Sequence, residues 1–210
     1  MKNYVITVAR GFGSGGKEIA SKLAKELGIK CYENRILTLA SQYSGYDEAE
    51  FKKVDESLNG NYLKTILGNL PRTRKPQPRE RSFHSDDKLF GYQAEIIRKL
   101  AETQSCVIVG KCADYILKDY DNVISVYIEA PRRFCYPRIM AKMEVSEPEA
   151  HRLIEKTDKY RADYYKYYTH GNYWTNPVNY DLTLNSERVG IDNCVKVIKD
   201  YLTIKFGITE

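Results

Sequence analysis

The sequence predicts an α/β fold, in which parallel strands are flanked by helices. Short apolar runs alternate with longer stretches of helical spacing, and a glycine-rich segment at 10–16 joins the first run to the first such stretch. The clearest runs are residues 5–9 and 106–110, which are rich in valine and isoleucine. Because strands that alternate with helices pair in parallel, we expect one sheet with ligands bound where its strands end.

The other elements follow in the same alternation. Apolar residues recur at helical spacing from Ile19 to Leu27, and Gly28 supplies a C-terminal stop. Further strands are expected near 29–32, 123–128 and 181–185. Further helices are expected near 34–43, 47–57 and 88–103, after Pro131, from Ser146 to Tyr168 and over 191–206. Ser146 and Glu149 match a capping box at the start of the longest of these helices.

Length and composition exclude several classes of protein. A chain of 210 residues with 42% hydrophobic and 29% charged residues forms one domain and is not globally disordered. No apolar run approaches the roughly 18 residues that a membrane span requires, and the N-terminus does not match a signal peptide. The net charge of +5 suits a site for small anions better than a nucleic-acid interface.

The cysteines and histidines point to neither a disulfide framework nor a metal centre. The five cysteines are odd in number and include no C-x-x-C pair, which predicts reduced thiols in the cytoplasm. His84, His151 and His170 lie far apart, without the spacing of metal ligands. We therefore expect no metal site built from side chains.

The motif that carries chemistry is G-x-x-x-x-G-K between the first strand and the first helix. Its glycines let backbone N–H groups turn toward phosphate oxygens, the helix adds its positive end, and Lys17 adds a mobile charge. The candidate phosphate-binding residues are Gly11, Phe12, Gly13, Ser14, Gly15, Gly16, Lys17 and Glu18. Glu18 stands where serine or threonine would bind Mg²⁺, so it either favours the first helical turn or reaches the metal through water.

With these motifs the sequence resembles the cytidylate-kinase-like branch of the P-loop nucleoside-monophosphate kinases. The resemblance is carried by the glycine-rich loop, by CVIVGKCADYIL at 106–117 and by NYDLTLN at 179–185, and it spans nearly the whole chain. It implies a P-loop NTPase fold with a five-stranded parallel sheet. The core would comprise 1–33, 104–145 and 178–210, with a helical acceptor-binding insert near 34–103 and a lid near 146–177. It also implies phosphoryl transfer from ATP to a small acceptor, most simply a nucleoside monophosphate, with Mg²⁺ held mainly by phosphates and water.

The resemblance also suggests roles for individual residues. Lys17, Arg138 and Arg161 would neutralise the transferred phosphoryl group, while Arg35, Lys111 and Asp114 would bind the acceptor. Lys111 and Cys112 stand where cytidylate kinases carry Arg-Asp, and Glu33, Asn34 and Arg35 stand where they carry Asp-Ser-Gly. The sequence therefore leaves the identity of the acceptor open, as it does the oligomeric state.

Two other functions and two sequence features remain open at this point. The chain fits a nucleotide-binding regulatory module without turnover, or a kinase of a non-nucleotide metabolite. The basic segment at 72–81 is a solvated loop, a grip for the acceptor phosphate or a patch for a larger polyanion. Many of the 18 tyrosines cluster between Tyr160 and Tyr180, where they either pack the lid helix or line the nucleotide pocket.

Overall fold

The structure is a computed structural model that describes residues 3–33, residue 36 and residues 87–208. The basic segment at 72–81, the predicted helix near 47–57, all but residue 36 of the one near 34–43, and the candidate residue Arg35 lie outside the described residues. All statements below concern the described part of the chain.

A parallel sheet of five strands forms the centre of the described structure, as predicted. Its order is β2-β3-β1-β4-β5, with Val5 of β1 opposite Cys106 of β3 on one side and Val123 of β4 on the other. The strands are β1 (Val5–Arg10), β2 (Lys30–Tyr32), β3 (Cys106–Val109), β4 (Val123–Glu129) and β5 (Leu182–Asn185). The central position of β1 explains its nearly continuous apolar sequence, because both faces of a parallel sheet are covered.

Helices cover both faces of the sheet. They are α1 (Gly16–Glu26), α2 (Asp87–Thr103), α3 (Ala113–Ile116), α4 (Arg132–Met143), α5 (Glu147–Tyr168), α6 (Ser186–Val189) and α7 (Ile191–Phe206). On one face, Leu23 of α1 and Ile198 of α7 pack with Ile6 of β1. On the other, Ile97 of α2 packs with Val5 of β1. Burial of these side chains is what fixes the helices on the sheet.

The predicted capping box at the start of α5 is absent. Ser146 is the residue before the helix, but its side chain makes no capping hydrogen bond. Glu149 instead pairs with Arg152, whose Nη2 lies 2.7 Å from the Glu149 Oε1 atom. Glu147 and Glu149 still place negative charge at the positive end of the helix, which favours a start at this point.

All five cysteines are free thiols, and only Cys31 is exposed. Burial raises the pKa of the Cys106 thiol to about 12 and that of Cys135 to about 11, so both are protonated at neutral pH. None of the described helices combines the length and the apolar character needed to cross a bilayer.

Parallel pairing brings the carboxyl ends of all five strands to one edge of the sheet. Arg10 ends β1, Glu33 follows β2, and Lys111 lies two residues beyond β3. Glu129 ends β4 beneath the glycine-rich loop, where a Cβ at Gly11 would collide with its carboxylate. Charged residues at the ends of four strands therefore meet at the edge where ligands bind in such sheets.

Candidate active site

The glycine-rich loop between β1 and α1 has a backbone shape that depends on two glycines. Gly13 and Gly15 have φ angles of +89° and +84°, in the left-handed region that other residues rarely adopt. A Cβ at Gly13 would lie 2.8 Å from the Cβ of Cys135, and one at Gly15 would lie 2.5 Å from the Cδ1 of Ile191. Both positions therefore favour glycine, for the backbone conformation and for the space that neighbouring residues leave.

The side chain of Ser14 holds this loop in place. Ser14 is fully buried, and its hydroxyl donates to the backbone oxygen of Gly11 at 2.9 Å. The hydroxyl oxygen of Ser14 in turn accepts a long hydrogen bond from the N–H of Gly16. From the opposite side, the hydroxyl of Ser186 donates to the backbone oxygen of Ser14 at 2.5 Å. The loop is thus organised before any ligand arrives, which lowers the cost of ordering it on binding.

Lys17 lies in the first turn of α1 and faces the carboxylate of Glu33, for which the sequence predicted no role. Its Nζ is 2.5 Å from the Oε2 of Glu33, and its side chain is 58% exposed. The N–H groups of this first turn have no acceptors within the helix and carry its positive end. Glu33 also faces Arg10 at 3.8 Å, so it holds two cations near the loop.

Three further cationic side chains, those of Arg10, Lys111 and Arg161, line the same cavity as Lys17. Burial, followed by the charge of Arg10, lowers the pKa of Lys111 to about 7 and that of Arg161 to about 9. Burial also lowers the pKa of Arg10, although Glu33 and Asp158 oppose this shift. An anion that binds beside such a cluster stabilises it, because the negative charge favours the protonated form of each cation and reduces the repulsion between them.

Arg138 of α4 reaches the other side of the loop. Its Nη2 atom is 2.8 Å from the Oε2 of Glu18, and this hydrogen bond is the main reason that the pKa of Glu18 is lowered. A Cβ built on Gly15 would lie 3.4 Å from the same Nη2 atom, so the guanidinium borders the phosphate-binding backbone. Glu18 occupies the first turn of α1 and also contacts Lys22, at 3.4 Å.

The helix α5 is bonded directly to the loop through Asp158 and Arg161. Asp158 accepts the N–H of Phe12 at 2.8 Å and the Nη1 of Arg132 at 2.7 Å. Arg161 donates to the backbone oxygen of Arg10 at 2.9 Å and lies over the Phe12 ring, 5.5 Å from its centroid. The predicted lid arginine is therefore placed beside the glycine-rich loop.

The turn between β3 and α3 has an unusual backbone. Gly110, Lys111 and Cys112 have consecutive positive φ angles of 74°, 62° and 54°. This conformation is costly for Lys111 and Cys112, and residues held in it concentrate at ligand sites. Gly110 is required here for space as well, because a Cβ would collide with the guanidinium of Arg10.

Asp114 follows this turn and is bonded to the tyrosine-rich helix. Its carboxylate accepts the hydroxyl of Tyr165 at 2.7 Å, and only 7% of the residue is exposed. Burial raises its pKa to about 6, while the Tyr165 bond and the N–H groups at the start of α3 oppose the shift. Asp114 thereby connects the acceptor side of the site to α5.

Removal of the Tyr165 hydroxyl is expected to destabilise the protein. In Tyr165→Phe, the buried Asp114 carboxylate loses its side-chain donor, which should lower the free energy of unfolding by about 1–3 kcal/mol. Urea unfolding at pH 7 measures this loss. Tyr167→Phe is the matched control on the same helix, because Tyr167 is only half-buried and its hydroxyl bond to Asp87 is long, at 3.4 Å. Equal losses in the two variants would contradict the assignment.

The charged side chains of the loop, of the cation cluster and of Asp114 line one cavity of about 860 Å³, whereas Ser14 and Asp158 lie outside its lining. The loop, Lys17, Glu18 and Arg138 border one part of it, and an aromatic wall borders another. That wall is formed by Tyr160, Tyr164, Tyr165 and Trp174. The tyrosine cluster combines packing with a place in the cavity wall. Tyr165 and Tyr168 are buried, and Tyr160, Tyr164 and Tyr165 line the cavity. Among the described residues, no group of three or more His, Cys, Asp or Glu side chains could hold a metal ion.

Comparison with known proteins agrees with this geometry. The sequence profile of the cytidylate kinase-like family matches residues 5–188. The chain belongs to this family. Cytidylate kinases of two Saccharolobus islandicus strains, Y.G.57.14 and Y.N.15.51, are each 25% identical to it over 205 residues, which are 95% of this chain and 91% of the relative.

Solved structures support the same fold for this cytidylate kinase-like chain. A protein from Eubacterium ventriosum, described as uncharacterized, is 27% identical with a TM-score of 0.69, over 95% of this chain and 98% of that one. Shikimate kinase from Bacteroides thetaiotaomicron has a TM-score of 0.51 at 12% identity, over 95% and 98% of the two chains. At that identity the likeness shows the fold alone, and the fold is that of P-loop kinases.

The sequence of this cytidylate kinase-like protein led to no predicted role for Arg10 or for Glu33. Both occupy ends of parallel strands, at the edge where the ligand site was expected, and that position was the available signal. The structure brings them together with Lys17, Lys111 and Arg161 around the one cavity described above.

Proposed function

We propose that the protein is an ATP-dependent phosphotransferase whose acceptor is a nucleoside monophosphate. The observation that supports this most strongly is the cluster of Arg10, Lys111 and Arg161 with lowered pKa values, which adjoins Lys17 in a single cavity. A cavity of about 860 Å³ has room for more than one small ligand, and the proposal puts the phosphate groups of donor and acceptor beside its cations. Phosphoryl transfer requires such charge clamps more than it requires a protein nucleophile.

In this proposal each side chain binds a phosphate, neutralises phosphate charge or excludes water from the site. The loop backbone and Lys17 hold the donor phosphates, and Arg138 borders them from α4. Arg161 lies between donor and acceptor, where it would neutralise charge on the group in transfer. Mg²⁺, held mainly by phosphate oxygens and water, would supply further neutralisation when bound. The aromatic wall would exclude water from the reacting groups once the predicted lid, near 146–177, and the insert, near 34–103, enclose them.

A nucleotide-binding module without turnover is the second candidate function. The observation that favours it is the ion pair between Lys17 and Glu33, which occupies the lysine that would hold the phosphates. In a kinase this pair must open, or widen, when the nucleotide binds. In a regulatory module it would be one of two alternative states of the site.

Coupled measurement of ADP release and of ligand binding separates these functions. The protein is given ATP and Mg²⁺ with CMP, UMP, AMP or GMP, and with shikimate as a non-nucleotide acceptor. We expect ADP release that depends on a nucleoside monophosphate and that exceeds a Lys17→Ala control. Thermal stabilisation by ATP without ADP release for any acceptor would favour the regulatory module, and release with shikimate alone would overturn the choice of acceptor.

The lowered pKa of Lys111 predicts proton uptake when a phosphate binds. With a pKa of about 7, Lys111 is largely neutral at pH 8, and a dianion beside it should raise that pKa and draw a proton from the buffer. Isothermal titration calorimetry of ligand binding at pH 8, in two buffers of different ionisation enthalpy, should reveal uptake approaching one proton. Lys111→Met should abolish it, and uptake that persists in this variant would contradict the prediction.

The same shift fixes the sign of a stability effect. The folded state binds fewer protons at Lys111 than the unfolded state between about pH 7 and its ordinary pKa of 10.5. The contribution of Lys111 to the free energy of unfolding therefore rises with pH across this interval in the protein without ligand.

A further inference from the structure

Gln93 is a buried polar residue that neither the loop nor the cation cluster accounts for. It lies on α2, is 1% exposed and lines the cavity. Its Oε1 atom has no hydrogen-bond partner among the described residues. A buried carbonyl without a donor costs free energy, so its retention at the wall of a binding cavity points to a donor on the ligand.

Packing fixes the helix face that carries Gln93. Phe90, one turn earlier on α2, stacks on Tyr168 with ring centroids 3.8 Å apart and meets the edge of Tyr164 at 6.1 Å. Residues three apart share a helix face, so this aromatic contact also holds Gln93 toward α5. Tyr164 and Gln93 both line the cavity.

The two carboxylates of the cavity nearest this argument already have partners. Asp114 accepts the Tyr165 hydroxyl, and Glu33 pairs with Lys17. The cations near the loop suit an anionic phosphate, whereas an uncharged amide beside aromatic rings suits a planar, neutral group. The two parts of the cavity therefore fit the two ends of a nucleotide.

We propose that Gln93 binds the heterocyclic base of the acceptor. This inference rests on the proposed function and makes it more specific. The amide offers one acceptor and one donor side by side, which matches a base edge with an N–H group beside a ring or carbonyl acceptor. Gln93 is thus a specificity-determining residue that distinguishes a nucleoside monophosphate from a sugar phosphate of similar charge.

The test is steady-state kinetics of Gln93→Met with the nucleoside monophosphate that the wild-type protein phosphorylates fastest. We expect the KM for this acceptor to rise about 10- to 100-fold and the KM for ATP to stay within about twofold. The melting temperature should stay the same or rise, since methionine fills the space and removes the unpartnered carbonyl. Gln104→Met is the matched control, because Gln104 binds the Tyr32 hydroxyl and does not line the cavity.

The outcomes separate this inference from the proposed function. An unchanged acceptor KM in Gln93→Met, with an active wild-type protein, overturns the role of Gln93 alone. Equal wild-type kcat/KM for ribose 5-phosphate, which lacks a base, overturns recognition of a base. A wild-type protein that neither phosphorylates nor binds any nucleoside monophosphate in calorimetry overturns both proposals. Gln93→Glu keeps the shape with no amide donor and serves, with the same expected rise in KM, if the methionine variant fails to fold.

Discussion

Lys17→Ala should lower kcat/KM for phosphoryl transfer by about 10²- to 10³-fold, the usual effect of removing one charge that stabilises the transition state. The lysine projects from the first turn of α1 toward the cavity, and its only ion-pair partner among the described residues is Glu33. Because the side chain is more than half exposed, its removal should hardly change the melting temperature. The effect therefore belongs to the reaction and not to folding.

A matched control for this variant is Lys25→Ala, since Lys25 is an exposed lysine in the last turn of the same helix. It should retain full activity. The assignment of Lys17 would be contradicted if the two variants lost activity equally, or if Lys17→Ala kept more than a tenth of the wild-type rate at saturating ATP.

Arg161→Met should have an effect of similar size, with kcat falling about 10²- to 10³-fold or more. Its guanidinium is 11% exposed, lies against the loop backbone and is surrounded by the cations Arg10 and Lys111. Because neighbouring cations repel this charge, binding of an anion beside it is favourable. Asp158 keeps its bonds from Phe12 and Arg132 in the variant, but the backbone oxygen of Arg10 loses a donor, so the free energy of unfolding should fall by no more than about 1–3 kcal/mol.

Arg152→Met is the control for that experiment, because Arg152 lies on the same helix, is 68% exposed and pairs only locally with Glu149. Single-turnover measurements with saturating ATP and acceptor would isolate the chemical step from binding. Full activity of Arg161→Met in that assay would show that Arg161 has a structural role only.

The sheet and the glycine-rich loop could be predicted because their signals are local. A continuous apolar run such as residues 5–9 has few alternatives to a buried strand, and glycines between a strand and a helix have few uses besides close approach to a ligand. The boundaries of α5 were also close to expectation. Its capping box was not, because Glu149 found a stronger partner in Arg152 one turn further along.

The remaining site residues depend on contacts between distant parts of the chain. Gln93 resembles an ordinary polar residue of an amphipathic helix, yet it is buried in the fold, on the helix whose Phe90 stacks on Tyr168 of α5. Glu33 resembles a charged residue at a strand end until the fold brings it to Lys17. Neither property is encoded within a few neighbouring residues, so periodicity could not reveal it.

The hydrogen bond between the N–H of Phe12 and Asp158 gives the loop an internal reporter. Exchange of this amide hydrogen with solvent requires its bond to Asp158 to open, through rotation of the Asp158 side chain or through movement of α5. Its exchange rate therefore measures how often the contact between α5 and the glycine-rich loop is broken. Hydrogen–deuterium exchange recorded at this one residue, with and without nucleotide, would follow that opening without any substitution in the chain.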